Sequence, residues 1–195
     1  FGAHRIEGIG DKHVPWIHNV KNTDLVIDLD DAGIVALARL FNEPVGRRYL
    51  SGRGVPEHTV EQLDLLGFSG IANLTMAIKF ARYYELGPGD VVLTVLTDSM
   101  DLYQSRLQEM RADSGEYREP QAAADWARYL QGLTTEGLLE LRYPDRRRIH
   151  NLKYFTWVEQ QGRTSEELRK LWDPEFWDET FAQVMFRRRR GFVQR

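Results

Sequence analysis

Val91-Val92-Leu93-Thr94-Val95-Leu96-Thr97-Asp98-Ser99, continuing through Met100-Asp101-Leu102-Tyr103 to Leu107, decides how the chain reads. Val91 to Leu96 is a continuous β-branched and leucine run, the pattern of a strand covered on both faces. It leads straight into Thr97, Asp98 and Ser99, and a helix is predicted from Met100 to Arg111. Open α/β sheets hold their ligands at the carboxyl ends of strands, so a hydroxyl and a carboxylate there predict a binding site. Far upstream, Ile6-Glu7-Gly8-Ile9-Gly10 is a glycine-spaced turn that lets backbone approach a flat ligand closely. Together the two stretches read as half of a cofactor site.

Working outward, Ile71, Leu74, Thr75, Ile78, Ala81 and Arg82 recur at helical spacing and predict a helix of about four turns from Ile71 to Leu86. Leu86-Gly87-Pro88-Gly89-Asp90 stops it and turns the chain. Nearer the start, Leu25 to Leu29 is a short apolar run, and Asp30 or Asp31 makes a good N-cap. Ile34, Leu37, Ala38, Leu40 and Phe41 then predict a helix ending before Pro44. Residues 44–56 are rich in proline, glycine and arginine and read as a loop. Val60, Leu63, Leu65 and Leu66 form a short amphipathic piece leading to Gly67-Phe68-Ser69-Gly70. Residues 24–111 thus predict an α/β fold, a partial doubly wound (Rossmann-like) three-layer sandwich.

The remainder differs in kind. Residues 1–22 read as loop and 112–122 as a linker or exposed loop. Residues 123–195 hold four of the five tryptophans and several helix signals, among them Thr164-Ser165-Glu166-Glu167, a helix start with acidic first-turn residues. The expected organisation is an α/β portion over 1–111 and a mostly helical, aromatic-rich extension over 112–195. That extension would pack on the α/β layer or on a partner subunit.

Composition bounds the function. The 195 residues are 42% hydrophobic and 28% charged, ordinary for a globular chain, and the net charge of −3 gives no global drive toward nucleic acid. With no cysteine, disulfides, thiolate catalysis and cysteine-based zinc sites are excluded. No apolar run approaches the roughly 20 residues of a membrane span. The first residues, Phe1 to Gly8, carry neither an initiator Met nor a signal-peptide pattern, so the expected compartment is cytoplasmic. Beginning in mid-motif, the chain reads as a piece of a longer polypeptide.

Ile6 to Gly10, with Val14-Pro15 after it, resembles a stretch in the fold type II pyridoxal-phosphate enzymes, the cysteine synthase and cystathionine β-synthase group. The likeness continues in order. Asp30 through Phe41 resembles the helix after that family's Val-Ser-Asp-Glu-Glu-Ala motif. Gly67-Phe68-Ser69-Gly70-Ile71-Ala72 is similar to its Gly-Ile-Ser-Ser-Gly-Ala-Ala helix start. Val91 through Leu107 resembles its terminal strand and Leu-Pro-Asp-Ser segment, with Thr97 in place of the proline. The likeness covers roughly residues 4–107.

The resemblance implies that Ser99 hydrogen-bonds the pyridine nitrogen of pyridoxal 5'-phosphate, and that Gly8, Ile9 and Gly10 line the cofactor. A neutral hydroxyl does not hold a proton on the ring nitrogen, which suits β-elimination and β-replacement on an amino acid and disfavours transamination. Asp98 competes with Ser99, because alternate strand residues face opposite sides; capping the next helix is its other role. Ser69 and Gly70, at a helix start, could offer amides to an anion or simply cap the helix.

The family also needs a Schiff-base lysine and a Gly/Thr-rich phosphate loop. None of Lys12, Lys21, Lys79, Lys153 and Lys170 stands in the lysine motif, and no such loop is present. The expectation is therefore no catalytic residue in this chain and no activity alone, with an N-terminal enzyme half as partner and a homodimer as a further possibility. A non-catalytic α/β assembly module is the competing reading. The spacing of His13 and His18 about Pro15 is poor for a shared metal. The Arg146-Arg147-Arg148 and Arg187–Arg190 clusters read as solvated or partner-facing surface, and the late aromatics as packing.

Overall fold

Asp30 sets the first long helix. Its side chain accepts the Ala32 amide, and helix α1 runs Asp31–Asn42 behind the short strand β1, Leu25–Ile27. These coordinates come from a computed structural model, which describes residues 4–6, 8–10 and 12–191, side chains of 185–191 excepted. Helices α2 (Pro44–Gly52), α3 (Glu57–Glu61) and α4 (Phe68–Tyr83) follow, then an extended stretch, a 3₁₀ turn at Met100–Tyr103 and α5 (Gln104–Ser114). After these come α6 (Glu119–Trp126), a π-helical turn at Ala127–Gln131 and strand β2 (Leu138–Glu140). The chain continues through α7 (Tyr143–Lys153), a second π-helical turn at Tyr154–Val158, α8 (Ser165–Lys170) and α9 (Pro174–Gly191).

Helix dominates this α/β content. The sheet among the described residues pairs β1 with β2. Asp28 donates to the Gly137 carbonyl at one end and Leu141 to the Asp24 carbonyl at the other (both 2.7 Å), an antiparallel match.

The chain forms two compact units. The first comprises Phe1–Gly10 and Ile27–Leu138, and α1 is its centre, packing against α2, α4 and α6. One face of α1 buries Ile34, Leu37, Ala38, Leu40 and Phe41, joined by Leu50, Ile71, Met100, Leu107 and Ala122 from the surrounding elements. The second unit comprises Asp11–Val26 and Leu139–Arg195. Leu168, Leu171 and Trp177 form its apolar cluster, with Trp16, Val158 and Phe176 against them, so part of the late aromatic set packs, while Phe155 and Phe181 are more than half exposed. Thr164 and Glu167 close a reciprocal capping box at the start of α8, as their spacing predicts.

Three sequence expectations need correction. Residues 44–52 are helix, not loop: Pro44 occupies the first helical turn, where its missing N–H costs nothing. Residues 112–122 are largely helical, with Tyr117 and Ala122 buried in the first unit's core. Val91–Leu96 is extended but not a covered strand. Val91 is 91% and Leu93 94% exposed, and among the described residues no backbone group of 91–96 pairs with another backbone group.

Candidate functional site

The strand end and the glycine turn singled out in the sequence meet through a residue of α4. Gly67 is the extended N-cap of α4, with no side-chain cap bond. Its N–H donates to the Asp98 carbonyl (2.9 Å), tying the helix start to the end of the extended stretch. A Cβ on Gly67 would fall 2.5 Å from Asp98 Oδ1, so only glycine fits this approach. Two residues on, Ser69 is 2% exposed and shares a 2.7 Å hydrogen bond with the Thr97 hydroxyl.

Thr97 in turn donates to Asp98 Oδ1 (3.1 Å), and the Tyr103 hydroxyl donates to Asp98 Oδ2 (2.6 Å). Both carboxylate oxygens of Asp98 are therefore committed. The expected capping role of Asp98 is replaced by this network, since Ser99 holds the N-cap position of the 3₁₀ turn.

Ser99 stands apart from its neighbours. Its backbone is extended (φ −101°, ψ 164°), it is half-buried, and its side chain makes no cap bond. Fully buried Met100 anchors the chain just after it. Asp98 is held by Thr97 and Tyr103, while the Ser99 hydroxyl makes no bond to a described residue.

Gly8 lies over the same spot. Its φ is +90°, a left-handed conformation, and a Cβ there would come within 3.8 Å of Ser69 Cβ and Oγ. Gly10 is also left-handed (φ +77°), and its carbonyl lies 2.7 Å from His4 Nε2. Ile9 is half-buried against the core of the first unit. Glu7 lies outside the described residues. Thus Gly8 and the 97–99 stretch converge on Ser69, which the sequence reading left as a helix-start residue. Only its 28-residue separation from Thr97 hid this link; the Thr97 hydroxyl, where the similar motif has proline, was the available signal.

Alongside runs the bare Val91–Leu96 stretch. The Asn73 side-chain amide donates to the Val95 carbonyl (2.8 Å), and Met76, Ala77 and Phe80 of α4 border a shallow groove with Val92 and Leu93. One side of the stretch therefore rests near a helix while its outer residues face solvent.

The other candidates are placed separately. His13 Nδ1 bonds with the Thr156 hydroxyl and His18 Nε2 with the Thr23 hydroxyl. Among the described residues no group of three or more His, Asp or Glu is placed to hold a metal ion. Arg146 donates to the Thr23 carbonyl and pairs with Asp24, Arg147 lies over the Trp172 ring, and Arg148 pairs with Asp145. The side chains of Arg187–Arg190 lie outside the described set. Lys79 and Lys153 are both buried on backbone carbonyls, Lys79 on Asp28 and Lys153 on Trp16 and His18. No described helix is long and apolar enough to cross a membrane.

Compared with protein-family models, with curated proteins and with solved structures, the chain matches none.

Proposed function

We propose that this chain supplies the pyridine-nitrogen side of a pyridoxal-phosphate site in an amino-acid lyase or synthase. In this reading a lysine-bearing N-terminal half, in the same polypeptide or another, supplies the covalent anchor and the phosphate loop. One observation carries the reading. At the end of the extended stretch, Thr97 and Asp98 are held internally, and the Ser99 hydroxyl bonds to no described residue. That is the arrangement a neutral partner for a ring nitrogen requires, and it favours Ser99 over Asp98 for the part.

The cofactor, when bound, supplies the electron sink for carbanion chemistry at the amino acid. The chain's own residues do the rest of this half: Ser99 donates a hydrogen bond without adding a proton to the ring. Gly8 and Gly10 bring no side chain of their own to the adjoining backbone, where the His4 ring lies against Gly10, and the Ser69–Thr97–Asp98–Tyr103 network holds the Ser99 backbone in place. The bare Val91–Leu96 stretch supports the missing half, since a strand apolar on both sides is stable only between other strands and under cover. In that assembly it would join a doubly wound parallel sheet. A cytoplasmic location belongs to the same proposal.

The absence of a lysine in the family motif favours one other reading, a non-catalytic α/β module that assembles with a partner and binds no cofactor. Co-expression with a lysine-bearing half encoded upstream or in a neighbouring gene separates the two. The enzyme reading expects a complex with a visible imine band, and elimination activity that falls when Ser99→Asp is introduced. A complex without the band supports the module. A stoichiometric imine band from this chain alone would overturn the claim that the anchor lies elsewhere.

A further inference from the structure

A separate cleft in the first unit presents a buried cation that no carboxylate answers. It has a volume of about 290 Å³ and lies between the start of α1, the second half of α4 and the segment from the π-helical turn Ala127–Gln131 to Glu136. Lys79, on α4, is 6% exposed. Its ammonium donates to the Asp28 carbonyl (3.0 Å), and it forms no ion pair with any described residue. An ammonium has three N–H donors, so one carbonyl leaves it under-satisfied, and burying an unpaired charge is costly. The neighbouring Thr75 hydroxyl donates to the Ile71 carbonyl (2.8 Å), and no described hydrogen bond joins it to Lys79.

The surroundings of Lys79 have a definite chemistry. Ile34 and Leu37 give an apolar floor, and the Tyr129 ring forms a wall. That ring can lie against α1 because residue 33 is glycine: a Cβ there would sit 2.9 Å from Tyr129 Cδ1. Asp30 and Glu136 stand on the exposed rim, and the Glu136 carboxylate bonds to no described residue. Arg128, stacked over the Tyr129 ring, also lines the cleft, which thus offers a buried cation, an apolar floor and a rim carrying both acidic groups and one guanidinium. A simple anion would meet the rim carboxylates, and a simple amine would meet Lys79.

We propose that this cleft binds a free α-amino acid with an aliphatic side chain. Its carboxylate pairs with Lys79, its ammonium with Glu136 and Asp30, and its side chain lies on Ile34 and Leu37 beside Tyr129. The inference uses no cofactor and stands whether or not the Ser99 site belongs to an enzyme.

The test is a titration of the ¹⁵N-labelled chain with L-leucine, 4-methylpentanoate and 3-methylbutylamine, followed by the amide signals of Gly33 and Tyr129. Saturable shifts are expected with leucine, binding about tenfold weaker with the carboxylate lacking the ammonium, and none with the amine. Lys79→Met should abolish the leucine shifts. Glu136→Gln, at an exposed position that does not threaten the fold, should weaken leucine about fivefold while leaving 4-methylpentanoate binding as tight or tighter. Absence of saturation with leucine, equal binding of all three molecules, or indifference to Glu136→Gln would each overturn the proposal. Those outcomes are readable even if Lys79→Met fails to fold.

Discussion

His150 is the residue most exposed to the consequences of its own burial. It is 3% accessible, and desolvation, then the charges of Lys153 and Arg147, push its imidazole down to about 4. The folded form therefore binds a proton less readily than the unfolded one. Its contribution is fully present above pH 6.5 and is lost as pH falls toward 4, by up to about 3 kcal/mol. Four of the five tryptophans lie in the second unit, so urea unfolding followed by tryptophan fluorescence between pH 7 and 4 reads this directly. The loss of stability should flatten in His150→Phe. Lys153, fully buried, has its pKa lowered to about 8 by desolvation. Its contribution accordingly rises between pH 8 and 10.5, and the same unfolding series carried to pH 10 should show stability climbing rather than falling. Gly46 is the other sensitive residue. A methyl there would overlap the Leu40 carbonyl oxygen, so Gly46→Ala should lower the melting temperature despite its better helix propensity.

Among elements, α1 and the Val91–Leu96 stretch are both predominantly apolar in sequence and opposite in energetics. Leu37 and Leu40 are 1% and 0% exposed, so Leu37→Ala or Leu40→Ala should cost about 2–5 kcal/mol in denaturant unfolding. Leu93→Thr should cost almost nothing, because Leu93 buries almost nothing in this chain. A loss comparable to Leu37→Ala would mean the stretch is covered after all. At the end of α1, Glu43 bridges two arginines. It lies 3.4 Å from Arg39 Nη2 and accepts a fork from Arg111 Nε and Nη2 at 2.9–3.1 Å. Arg39 is 6% exposed, so Glu43→Ala strands a buried guanidinium and should cost about 3–5 kcal/mol by the same assay. Helix α1 was legible because its cap and its period are local signals. Helix α2 was not: its glycine and arginine content suggests a loop, and Gly46 is explained only by the close approach to Leu40.

For the molecule as a whole, the bare stretch governs behaviour in solution. Val91, Leu93, Val95 and Leu96 are all more than half exposed, an apolar patch whose backbone has no backbone partner among the described residues, which invites strand addition by other chains. The chain alone should bind a hydrophobic dye and self-associate at high concentration. Val91→Lys combined with Leu93→Lys should suppress both in light scattering and dye fluorescence while leaving the melting temperature unchanged. A fall in melting temperature would show instead that these exposed side chains stabilise the fold.

Sequence alone determined the elements that depend on near neighbours: the Asp30 cap and the α1 period, the long α4, the turn at Gly87–Asp90 and the capping box at Thr164. These rest on hydrogen bonds and side-chain spacing within a few residues. Tertiary structure decided the rest. It brought Gly8 and Thr97 together on Ser69, committed Asp98 while leaving Ser99 uncommitted, and buried Lys79 and Lys153 on carbonyls distant in sequence. It also left Val91–Leu96 in solvent, because a strand's burial depends on partner strands and covering helices, and no local pattern supplies those.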